Sequence, residues 1–85
     1  MTEEISNFNV TDRQSFITFL ELMHTDFLEN MDAWENKTLK DFLEAIIRYT
    51  QDIQGYYDNN SINVDADKAT WRTFADILKG STIYE

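Results

Sequence analysis

No cysteine, no proline and only two glycines occur in these 85 residues, and each scarcity removes a class of architecture. Without thiols there is neither a disulfide framework nor a thiolate zinc site. Packing alone must then hold a chain short enough to bury only roughly 60% of its unfolded surface. The same lack fits a reducing cytoplasm. With glycine only at positions 55 and 80, a glycine-rich phosphate loop has no place to form. The one histidine, His24, has no orienting partner within helical reach, because Asp26 lies two positions on and diverges from it. A surface histidine is expected there, and no enzyme activity.

Basic residues are scarce as well: sixteen acids face seven Lys and Arg, for a net charge of -9. Such a field repels phosphates and anionic lipid, so neither direct nucleic-acid contact nor membrane binding is expected. The imbalance is uneven. Residues 1–36 hold eight acids against Arg13, whereas residues 37–85 hold eight acids against six bases. The start, Met1 to Ser6, is acidic where a secretion signal needs a basic, then apolar, stretch, and no apolar run reaches spanning length. Neither export nor membrane insertion is expected. There is no repeat or low-complexity tract, so residues 1–85 read as a single helical domain.

What is present is apolar mass: 42% hydrophobic residues, with two Trp, four Tyr and six Phe, ample for a folded core. Its periodicity is helical. The first ten residues lack that period and are expected as an extended lead-in that Ile5, Phe8 and Val10 tack to the body. Thr11 and Gln14 form a capping box for a first helix. Within it Phe16, Leu20, Met23 and Phe27 share one sector, flanked by Phe19 and Ile17, while Asp26, Glu29 and, where the helix extends that far, Asp32 face the opposite way. Residues 31–37 break the pattern as a connection.

Thr38 opens a second helix with Leu39, Phe42, Leu43, Ile46, Tyr49, Thr50 and Ile53 on one broad face. Glu44 and Asp52 each stand four residues from Arg48, suiting helical ion pairs. Gly55 is expected to terminate this helix, and of the adjacent Tyr56 and Tyr57 only one can point inward. Residues 58–68 form a polar loop. A third helix spans about residues 69–79, burying Trp71, Phe74, Ala75 and Leu78 with Arg72 and Asp76 paired outside; Gly80 ends it and residues 81–85 form a short tail. The fold expected is all-α, a small three-helix bundle.

No metal or cofactor site emerges. Reading Asn63, Asp65 and Asp67 as a calcium loop puts Lys68 where glycine belongs and Phe74 where the bidentate glutamate belongs. The two aspartates suit the start of the third helix instead. Large rings gather near helix ends, namely Trp34, Tyr56, Tyr57, Trp71 and Tyr84, where they either cap the core or anchor an interface. Trp34 and Tyr56, separated by roughly 25 Å of helix rise, cannot share one compact pocket.

Trp34-Glu35-Asn36-x-Thr38-Leu39, Phe42-Leu43-Glu44-Ala45, Gly55-Tyr56-Tyr57, Trp71-x-x-Phe74-Ala75-Asp76-Ile77-Leu78 and Ile83-Tyr84-Glu85 together resemble a family of small bacterial domains of unknown function. The resemblance runs from the first helix to the last residue and implies a single domain, with no activity or site residue attached.

The function expected is a noncatalytic, acidic protein-binding module of inhibitor or immunity type, steered onto a basic protein surface. Asp26, Glu29, Asp32, Trp34 and Glu35 are its candidate binding residues, joining carboxylates to an aromatic anchor. Nucleic-acid mimicry is the alternative, requiring a regular carboxylate track that the better-balanced second half opposes. A small enzyme using paired carboxylates ranks third. A homodimer is a further option, since association would cover exposed tyrosines.

Overall fold

The computed structural model describes residues 3–85. Among them lie four α-helices and no strand: α1 (Glu3–Ser6), α2 (Arg13–Asn30), α3 (Leu39–Asn59) and α4 (Trp71–Ser81), with a 3-10 turn at Met31–Ala33 after α2. No helix among these residues is long and apolar enough to cross a membrane. The expected all-α class holds, with α2, α3 and α4 as its three main helices. The lead-in differs from expectation, for it coils into α1 before extending. Met1 and Thr2, also assigned to that lead-in, lie outside the described residues. Ile5 and Val10 are buried as expected.

Each main helix starts on a side-chain cap. Asp12, not Thr11, caps α2: its carboxylate accepts from the Ser15 amide at 2.8 Å, and Ser15 Oγ accepts from the Asp12 amide at 3.0 Å, a reciprocal capping box. The Ser15 hydroxyl, donating to Asp12 Oδ1 at 2.7 Å, and then the Ser15 amide hold the Asp12 carboxyl below the usual carboxylate range. Thr38 caps α3 through the Asp41 amide, and Thr70 caps α4 through the Thr73 amide, both at 3.1 Å. Asp65 and Asp67 therefore stand in the loop before the α4 cap. There Asp65 accepts from the Asp67 amide, and Gln54 grips the loop through Val64 O and the Ala66 amide.

Neither glycine ends a helix. α3 continues through Gly55 to Asn59 and stops in a Schellman motif: Ile62 N donates to Tyr57 O at 2.8 Å, Ser61 N donates to Asp58 O, and Ser61 takes the left-handed conformation at φ 56°. Gly80 lies inside α4, where a Cβ would overlap the Tyr49 ring. Its role is close approach of α4 to α3.

α4 packs against both α3 and α2, giving a slab of 33 × 27 × 19 Å. The core joins Ile5, Val10, Phe19, Met23, Trp34 and Ala75, with Phe16, Phe27, Phe42 and Leu78 against it. A second buried seam between α3 and α4 holds Ala45, Ile53, Tyr57, Thr73 and Ser81. The buried arc of α2 is rotated from the expected stripe: Phe19, Met23 and Asp26 are inside, while Ile17 and Leu20 are exposed. On α3, Leu39 and Leu43 lie outside the core with Ile47, and on α4 Trp71 and Phe74 are partly open. Arg48 pairs with neither Glu44, which binds Lys40 at 2.7 Å, nor Asp52, which accepts from Tyr84. Its buried Nε has no hydrogen-bond partner. The Arg72–Asp76 pair forms, at 3.4 Å.

Candidate functional site

The five residues proposed for binding split into two groups. Asp26 and Trp34 are 2% and 7% exposed, and they meet each other: the indole Nε1 donates to Asp26 Oδ2 at 2.7 Å. Asn30 Nδ2 donates to the other carboxyl oxygen at 3.2 Å. The indole is further held edge-on to Phe27 and stacked near Phe42, with centroids at 5.0 and 5.9 Å. Asp26 thus belongs to the core instead of the solvated face, because a donor eight residues away makes its burial tolerable. Trp34 is a core residue and not an interface anchor.

Glu29, Asp32 and Glu35 remain exposed. The apolar residues beside them are Leu28 and Met31, 65% and 43% exposed. The segment from Leu28 to Ala33 lines a shallow concavity of about 390 Å³. Two carboxylates, Glu29 and Asp32, and two apolar side chains therefore share one helix end, unmatched by any basic residue in the last turn of α2, with Glu35 in the turn that follows. That placement opposes the helix dipole, so local stability does not account for it. Sequence pattern singles out neither Leu28 nor Met31; Leu28 falls outside the apolar stripe of α2, which is the one local signal of its exposure.

The turn that follows is fixed at its other side by the C-terminal tail. Glu35 N and Asn36 N donate to Thr82 O at 3.0 and 3.1 Å. Asn36 Nδ2 donates to Ser81 O and Tyr84 O at 2.9 and 2.8 Å. Trp34-Glu35-Asn36 is therefore a clamp: its indole holds the end of α2, and its asparagine satisfies the last carbonyl of α4 and a carbonyl of the tail beyond it.

A second concavity runs along the α3–α4 seam. Tyr49 sits at its base, with the Tyr56 and Tyr84 rings at centroid distances of 6.4 and 5.0 Å. The lining, which also includes Asp52, Gly80 and Ile83, encloses about 750 Å³. An adjoining recess of about 240 Å³ reaches Ser6, Asp76 and Lys79. Burial, with the neighbouring Tyr56, Asp76 and Tyr84, pushes the Tyr49 phenol up to about 12. Burial together with the 2.7 Å bond to Asp76 does the same for Tyr57. The bond to Asp52 raises Tyr84. As required by the α3 helix between them, Trp34 and Tyr56 serve different neighbourhoods.

His24 is exposed on α2. Among the described residues no group of three or more His, Asp or Glu side chains is placed to hold a metal ion.

Compared with known proteins, residues 12–85 match the model of one family of unknown function. The match begins at the α2 cap, so the three main helices and the tail lie within it and α1 outside. No curated protein and no solved structure matches the chain.

Proposed function

The chain belongs to DUF7660, a family of unknown function, and from that premise we propose a noncatalytic protein-binding domain that docks by the C-terminal end of α2. The observation that carries this reading is the exposure of Leu28 and Met31 among Glu29, Asp32 and Glu35. Exposed apolar groups ringed by like charge suit a partner whose surface is basic around an apolar recess. The Asp26–Trp34 bond and the Asn36 clamp support it by fixing the edge in place, which reduces the ordering cost of association. The withdrawal of Asp26 into the core removes a carboxyl from any phosphate-imitating track, which favours docking over nucleic-acid mimicry. A cysteine-free cytoplasmic setting is part of this proposal, as is an inhibitor-like mode in which the domain occludes its partner's basic site.

The test is association kinetics with a partner captured from the native cytoplasm. Glu29→Lys with Asp32→Lys is expected to slow association about tenfold at low salt, with the difference shrinking as salt rises. Leu28→Ala should speed dissociation. An unchanged association rate in the charge-reversed variant refutes this edge.

Self-association is a second reading favoured by one observation. Leu39, Leu43 and Ile47, four residues apart along α3, are 74%, 50% and 60% exposed. They adjoin the internally balanced Lys40–Glu44 pair, not the acidic end. A twofold pairing of this row predicts a dimer in sedimentation that Leu43→Glu disperses; a monomer at high concentration excludes it.

A further inference from the structure

The tyrosine groove has no share in the docking edge, and its construction exceeds what packing needs. Gly80 lets the α4 backbone lie against the Tyr49 ring. Tyr84 meets that ring edge-on at 72°, while Tyr56 tilts toward it at 50°. Tyr56 keeps 45% of its surface exposed, so one ring forms an open wall of the hollow. Two acids, Asp52 and Glu85, share the lining of the larger concavity, and no Lys or Arg does. The nearest cation of the adjoining recess, Lys79, is already engaged by Asp76 at 3.7 Å and by Ser6 O at 3.4 Å.

We propose that this groove is a binding site for a guanidinium or ammonium side chain presented by a partner polypeptide. Ring faces carry negative quadrupole density, so three tyrosines around one hollow attract a cation with an apolar stem. The carboxylates of Asp52 and Glu85 add charge complementarity, within a chain whose net charge is -9. An anion meets repulsion from both terms, and a neutral side chain forfeits both attractions. The clamp from Asn36 to Tyr84 O ties the groove's outer wall to the segment that carries Glu35, so the same basic partner can span both. In that respect the inference rests on the docking reading and names what the partner inserts.

The full isotopically labelled chain is titrated with an N-acetylated, C-amidated peptide of alternating arginine and glycine, and with its citrulline counterpart. Arginine peptide is expected to shift the resonances of Tyr49, Gly80 and Tyr84, and citrulline peptide to leave them in place. Tyr56→Ala alters no charge, leaves a half-exposed position, and is expected to weaken binding about tenfold. Asp52→Asn, a second variant that keeps the side-chain shape, should weaken it in the same direction. Equal affinity in Tyr56→Ala, equal binding of the citrulline peptide, or no shift at saturating peptide each overturns the groove site. Shifts confined to Glu29, Asp32 and Glu35 overturn it too, while leaving the docking edge standing.

Discussion

Trp34 Nε1 and Asp26 Oδ2 lie 2.7 Å apart inside the core, joining the end of α2 to the turn that follows it. The bond converts what reads in sequence as a surface acid and a loose ring into one buried unit. Its loss is expected to cost the desolvation of an orphaned indole N–H. Asp26→Ala should therefore destabilise the fold by about 1–3 kcal/mol, and Asp26→Asn by less, since an amide oxygen still accepts. Urea denaturation followed by tryptophan fluorescence measures both; Asp26→Ala as stable as the parent would refute the pairing.

The two glycines are expected to respond with opposite sign. At Gly55 an added methyl meets nothing within 4 Å, and the residue is inside α3, so Gly55→Ala should stabilise by about 0.4–1 kcal/mol. At Gly80 the same helix-propensity gain of about 1 kcal/mol competes with overlap onto Tyr49. Overpacking costs about 1–3 kcal/mol, and here the obstacle is an aromatic ring held by its neighbours, so overlap wins. Gly80→Ala should lower the melting temperature, and Tyr49→Ala should make that substitution less damaging in a double-mutant cycle.

Ser61 occupies a left-handed position with a Cβ. Ser61→Gly removes that steric penalty and is expected to stabilise by about 1 kcal/mol, visible as a raised denaturation midpoint with an unchanged slope.

Asn36 satisfies the last carbonyl of α4, at Ser81, and that of Tyr84 in the tail. Asn36→Ala should cost about 1–3 kcal/mol and, more specifically, release Tyr84 from Tyr49. Amide exchange at Thr82 to Tyr84 should quicken well before α2 is affected, and uniform acceleration along the chain would contradict a local clamp.

Alkaline stability follows from Tyr49 and Tyr57, both pushed up to about 12 from an ordinary value of about 10. The folded state holds these protons more tightly than the unfolded chain. Their contribution is therefore complete below about pH 10 and is lost as pH rises through about 12. Ultraviolet titration of tyrosinate should show late ionisation coinciding with loss of helical circular dichroism. Tyr57→Phe, which removes the bond to Asp76, should lessen this alkaline sensitivity.

The helix start at Thr38 was legible because a cap is a local bargain between a hydroxyl and an amide three residues on; the Thr70 cap was not singled out, and α4 begins at Trp71 instead of residue 69. The edge of α2 was half legible: Glu29, Asp32 and Glu35 sit where charge patterning placed them, but Asp26 does not. A helical wheel scores a carboxyl as polar, and only the distant indole donor could reverse that. Gly55 misled for a similar reason. A glycine permits a stop without requiring one, and burial of Tyr57 to zero exposure draws the helix onward by another turn.

The sequence by itself determined the helical class, the Thr38 cap, the acidic field and the exclusion of thiol and glycine-loop chemistry, since these depend on composition and on neighbours within one turn. Only the tertiary structure decided which acids are buried, which glycine is a contact and which tyrosines meet. Those outcomes depend on groups tens of residues apart, as with Tyr49 against Gly80 and Tyr84, or Asn36 against Ser81. No local pattern encodes such distances, because they arise when α4 settles between α2 and α3.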